Sequence, residues 1–127
     1  MAEGYGGLDR REFFRYEYDS PLSFSIVKST KDKSFPRQFV DAMSKNLSAS
    51  GLLFIAKGKD LPNLSSFLIV DLDYHTAAVC KEIETRAMLV DNKLLGRVVR
   101  IEDNEDGTFG IGVAFVKKDE GKIEKTA

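Results

Sequence analysis

The sequence predicts an all-β domain, with six or seven short antiparallel strands closed into a barrel or packed as a sandwich. Three observations carry this prediction. Apolar residues alternate with polar or small ones at a period of two in several separate runs, most clearly Phe109, Ile111, Val113 and Phe115. Turn-forming clusters such as Lys31-Asp32-Lys33-Ser34 and Asn104-Glu105-Asp106-Gly107 separate those runs. No repeat or linker divides the 127 residues, a length that suits one domain with a real core.

Taken in order, residues 1–15 open Gly-rich and without apolar period, which reads as a flexible leader ahead of one folded unit at 16–116. Pro21 begins a strand in which Leu22, Phe24 and Ile26 alternate with Ser23 and Ser25. From Arg37 to Leu47 the chain is again extended. Phe39, Met43 and Leu47 fall on one face with Asp41 and Lys45, and Val40, Ala42, Ser44 and Asn46 on the other. Asn46 to Gly51 is a tight reversal into the apolar run Leu52 to Ala56. A loop over 58–65 precedes a strand over 67–72. Residues 77–90 admit two patterns. Val79, Ile83, Ala87 and Val90 have helical spacing, whereas Ile83, Thr85, Ala87 and Leu89 fit a strand face, and a strand is expected for the second half. Leu94 to Ile101 is a strand, and Asp106-Gly107 closes its hairpin. In the last strand Gly110, Gly112 and Ala114 leave one face nearly bare, so another backbone or a flat ligand must come close there. Residues 117–127 form a charged tail.

Composition narrows the function classes. With 43% hydrophobic and 31% charged residues the chain is an ordinary globular protein, and a net charge of −1 argues against broad, sequence-independent binding to nucleic acid. Any anion site must be local. One cysteine, Cys80, and one histidine, His75, exclude an internal disulfide and a Cys/His zinc site, so no metal is expected. No signal-peptide order opens the chain and no apolar run nears the ~18 residues of a membrane helix, so a cytoplasmic protein without membrane insertion is expected.

Two motifs remain. The first is Arg10-Arg11-Glu12-Phe13-Phe14-Arg15, three guanidinium forks just before the first strand. Arginine makes bidentate bonds to phosphate oxygens or a base edge and stacks on rings, although flanking Asp9 and Glu12 also allow solvated ion pairs. The second is Asn46-Leu47-Ser48-Ala49-Ser50-Gly51, where an amide and a hydroxyl either meet a ligand or cap the turn through their own backbone. Gly51 reads as a turn residue that supplies a backbone angle other residues resist.

Together these motifs resemble the PilZ family signature, RxxxR followed some thirty residues later by [D/N]xSxxG. Arg11-x-x-x-Arg15 and Asn46-x-Ser48-x-x-Gly51 match it, with a gap of 46 − 15 = 31. Gly96-Arg97-Val98-Val99-Arg100 and Phe109 to Phe115 resemble the family's closing strands, so the resemblance spans residues 10–116. It implies a six-stranded antiparallel barrel that receives cyclic di-GMP and is not an enzyme, with no cofactor and an unidentified downstream protein partner. By the same resemblance Arg11 and Arg15 grip phosphate and the guanine Hoogsteen edge, Asn46 and Ser48 hydrogen-bond the ligand, and Gly51 serves the turn; Arg10, a third fork at the same mouth, is placed in sequence to reach a second, stacked ligand molecule. The leader is then expected to become ordered over the ligand and so signal. The family often ends in a helix packed on the barrel. Only eleven residues follow Val116, so little or no C-terminal helix is expected.

Three other classes compete. One is a PilZ-like interaction module that binds no nucleotide. Another is a nucleic-acid barrel stacking bases on Phe13, Phe14, Tyr16 and Tyr18, which the near-neutral charge disfavours. The last is an enzyme, for which His75, Cys80, Asp71 and Asp73 offer no nucleophile–base constellation; a surface histidine and a partly buried cysteine fit them better.

Overall fold

A computed structural model of the chain describes residues 16–27 and 38–118. Seven strands form one sheet: β1 (Tyr16–Val27), β2 (Val40–Leu47), β3 (Gly51–Lys57), β4 (Phe67–Asp71), β5 (Leu89–Val90), β6 (Lys93–Asp103) and β7 (Thr108–Phe115). All pairings are antiparallel in the order β4-β1-β2-β3-β7-β6-β5, and β4 also pairs with β6. That extra pairing closes six strands into a barrel, which removes the open edges a sheet of this size would otherwise expose. β5 is a two-residue addition outside the ring.

The interior follows the period of two. Leu22 and Phe24 from β1, Leu52, Phe54 and Ala56 from β3, Leu68 and Val70 from β4, and Ile111, Val113 and Phe115 from β7 all point inward and are buried. The rings of Phe24 and Phe54 meet across the barrel, tilted by 40° with centroids 4.9 Å apart.

β2 breaks the period, and this corrects the expected faces. Ser44 pairs with Phe54 and Asn46 with Leu53, so Lys45 is an extra residue bulged out of the β2–β3 ladder. One inserted residue reverses the alternation beyond it. Leu47 is therefore 0% exposed inside the barrel, while Phe39 and Met43, expected on its face, are exposed. The same bulge turns Asn46 off the face it shares by count with Ser44.

Residues 77–90 also differ from expectation, since a helix, α1 (Cys80–Arg86), takes most of the segment and only Leu89–Val90 is strand. Val79, Ile83 and Ala87, one helical face at i, i+4 and i+8, are at most 5% exposed and join the core. A closed barrel leaves no edge for a further long strand, whereas an apolar helical stripe covers its interior. Behind α1 the chain is strapped down: Ala87 bridges Lys117, and the Met88 N–H donates to the Val116 carbonyl at 2.8 Å. Asp91 and Asn92, both left-handed (φ 53° and 65°), form the two-residue turn from β5 to β6.

The bare face of β7 is occupied by its own sheet neighbours. A Cβ on Gly112 would lie 3.3 Å from the Arg100 Cβ, and one on Gly110 would lie 3.6 Å from Leu53 Cδ1.

Candidate functional site

The site grows from the β2–β3 reversal. Ser48 is 2% exposed, and its hydroxyl organises the corner. It accepts from the Ser50 and Gly51 N–H groups, each at 3.2 Å, and lies 3.2 Å from both the Gly51 carbonyl and the Ser50 hydroxyl. A hydroxyl has one donor and two acceptor sites, so this corner saturates it. The Ser48 N–H donates to the Gly51 carbonyl at 2.9 Å, and Ser50 accepts from Phe115 N–H at 2.8 Å, which ties the reversal to the end of β7.

Gly51 is required here for a reason other than the one expected. Among the described glycines only Gly107 has a positive φ, and Gly51 is not strained in that sense. It pairs with Ala114, and a Cβ there would lie 2.1 Å from the Val113 carbonyl oxygen. The missing side chain lets two backbones approach; it does not permit an unusual angle.

Asn46 is the polar group this corner leaves unmet. It is half-buried, and its Oδ1 is enclosed without a hydrogen-bond partner. An orphaned buried acceptor costs free energy on the order of 1–3 kcal/mol and calls for a reason. The Ser44 hydroxyl is likewise buried without a partner, but it faces the core beside Phe54. Asn46 lies at the strand end, opposite Glu17 on one side and Leu53 on the other, where the bulge re-aims it.

On the far flank of β1 the chain leaves β4 at Asp71, and the Tyr18 hydroxyl donates to the Asp73 carbonyl oxygen at 2.5 Å. Asp73 Oδ1 accepts the His75 N–H at 3.1 Å and sits 2.9 Å from His75 Nδ1; these bonds hold its carboxyl below the ordinary value of 3.8. The His75 ring stacks on Tyr74, with centroids 5.1 Å apart and planes 7° from parallel. Burial, and then the nearby Glu84 carboxylate, raise the Cys80 thiol above its usual range, which makes it a poor nucleophile at neutral pH.

Arg10, Arg11 and Arg15 lie outside the described residues. Of the expected site residues, Asn46, Ser48 and Gly51 come together at one corner. The Tyr18–Asp73–His75 arrangement was not legible as part of a site, because Tyr18 lies 55 positions before Asp73 and only the β1–β4 pairing brings the two segments together. Among the described residues, no group of three or more His, Cys, Asp or Glu side chains is gathered to hold a metal, and no helix is long and apolar enough to cross a membrane.

Fold and corner together define a class: a small closed antiparallel β-barrel that presents polar groups at one reversal beside the start of its first strand. The family model of the PilZ domain matches residues 9–126, and the chain belongs to the PilZ domain family, a family of cyclic di-GMP receptors. No curated protein matches it significantly. Among solved structures it is similar to the Bacillus subtilis inhibitor of motility MotI/DgrA, with a TM-score of 0.57 and 13% identity. That match covers 85% of this chain and 43% of the other, so the chain spans less than half the length of that protein. At this identity the likeness supports the fold.

Proposed function

We propose that this PilZ domain is a cyclic di-GMP receptor in which Arg11 and Arg15 grip the ligand beside Asn46. The observation that carries the reading is a strand register: Tyr16 pairs with Leu47 and Glu17 with Asn46. Arg15 is covalently joined to Tyr16, so the arginine motif enters the fold one residue from the Asn46–Gly51 corner. Adjacent strands lie only ~5 Å apart, well within the reach of an arginine side chain.

The chemistry agrees. Guanine presents O6 and N7 as paired acceptors that a guanidinium fork matches, a contact worth about 1–3 kcal/mol. The two phosphates suit a local arginine cluster in a chain of net charge −1. Asn46 brings donor and acceptor together for a mixed purine edge, and its unmet Oδ1 gains a partner when the ligand arrives. Ser48, saturated within the reversal, takes part through the corner it builds. Binding fixes residues 5–15 over the ligand, and the fixed segment is the surface a downstream protein reads.

Isothermal titration tests this reading. Cyclic di-GMP binds the wild type, Arg11→Ala and Arg15→Ala abolish binding, and the unliganded melting temperature stays within about 2 °C, as expected of side chains whose task is the ligand. Absence of binding by the wild type, or collapse of the unliganded fold in either variant, overturns the assignment. Hydrogen exchange over residues 5–15 then slows on ligand addition, and equal exchange in both states removes the signalling step.

A further inference from the structure

The start of β1 has two flanks, β2 on one side and β4 on the other, and Asn46 occupies only the first. On the other stands His75, whose side chain is 71% exposed yet held on three counts: an Nδ1 contact to Asp73, a backbone bond to the same carboxylate, and stacking on the buried Tyr74. An exposed ring in water normally keeps its rotamer freedom, and fixing it has an entropic cost. Here the cost is met by neighbours that leave the outer ring face open. The loop is itself anchored to β1, since Tyr18, whose hydroxyl bonds Asp73, directly follows Glu17, the strand partner of Asn46.

We infer that His75, stacked on Tyr74 and braced by Asp73, is a shelf for the second guanine of the bound cyclic dinucleotide. This rests on the receptor reading above and extends it. Cyclic di-GMP carries two identical bases on one small ring. The Asn46 corner provides edge recognition for one of them, and the opposite flank of β1 supplies a preformed flat surface for the other. A purine on an aromatic face needs no specific edge contacts, so an imidazole with one nitrogen already engaged is sufficient. His75 thus adds affinity and selects for a dinucleotide with two bases, whereas Asn46 reads guanine identity.

His75 is the one histidine in the chain, so its ring protons are assignable in the wild-type proton NMR spectrum without mutagenesis. Saturating cyclic di-GMP moves them upfield, as a purine ring current requires. In titrations, His75→Ala weakens cyclic di-GMP binding roughly 5- to 20-fold, the range expected for the loss of one stacked base, and His75→Phe, which keeps a flat ring, restores most of it. If the wild type gives no heat with cyclic di-GMP, both readings fall. If the wild type binds and Arg15→Ala abolishes binding while His75→Ala binds within twofold and the ring protons do not move, the receptor stands and the shelf is overturned.

Discussion

Two reversals in this barrel use the same kinds of residue to opposite ends. The hairpin joining β6 to β7 is exposed and closes its own accounts: Asp106 Oδ1 accepts from the Thr108 N–H and hydroxyl, Asp103 Oδ1 from the Glu105 N–H, and Asn104 Nδ2 bonds the Thr108 hydroxyl. The β2–β3 corner is buried and incomplete, because Ser48 is saturated while the neighbouring Asn46 Oδ1 lacks a partner. A turn that needs only to turn satisfies itself in water. One that leaves a buried acceptor unmet carries a cost that folding alone does not explain.

The glycines make the contrast sharpest, and they give the largest expected effect. Gly51→Ala drives a Cβ into the Val113 carbonyl, a backbone atom that cannot rotate away, and costs about 3 kcal/mol, a fall in Tm on the order of 10 °C. Gly107→Ala meets nothing within 4 Å and pays only for its left-handed backbone (φ 89°), about 1 kcal/mol. Thermal unfolding of the two variants checks the order; equal losses would erase the distinction between the reversals. Next comes Ser48→Ala, which strips the Ser50 and Gly51 N–H groups of their acceptor in a buried corner, for about 2 kcal/mol by denaturant titration.

Asn46→Leu has the opposite sign. Replacing a half-buried amide of similar size removes an unsatisfied acceptor and is expected to stabilise the unliganded protein by about 1 kcal/mol while weakening cyclic di-GMP binding at least tenfold. Stability gained together with affinity lost marks a residue kept for recognition. A variant that loses both would show that Asn46 is structural.

Much of this contrast was visible before the fold. The core-facing sets of β1 and β7 were legible, since Leu22, Phe24, Ile111, Val113 and Phe115 are buried where the period of two places them, while the burial of Ser25 and of Gly110 and Gly112 on the other faces comes from packing that the period does not show. Asp106-Gly107 announced its hairpin by local chemistry. What stayed hidden depends on partners remote in sequence. The Lys45 bulge that buries Leu47 and re-aims Asn46 exists only in register with β3, and nothing local marks it. The choice of helix over strand at 80–86 is set by barrel closure, which gives the Val79–Ile83–Ala87 stripe a core to cover. Gly51 was legible as a required glycine but not for its reason, since the Val113 carbonyl that excludes a side chain lies more than sixty residues away.

Acid gives the smallest expected effect and separates the two ends of the comparison. Hydrogen bonds lower both carboxyls below 3.8, Asp106 through Thr108 and Asp73 through His75, whose ring contact is the larger cause. A carboxyl that ionises more readily folded than unfolded adds stability that is complete above the unfolded value, near pH 4, and is lost as pH falls through the lower folded one. Both groups are exposed, so the drop in Tm between pH 5 and 3 is small. The carboxyl carbon shifts are more discriminating: in the wild type both titrate with midpoints below 3.8, and His75→Ala returns Asp73 toward its ordinary value while Asp106 stays in place. If Asp73 kept its low midpoint without the imidazole, the backbone N–H of residue 75 would account for it, and the ring would rest on Tyr74 without the carboxylate brace.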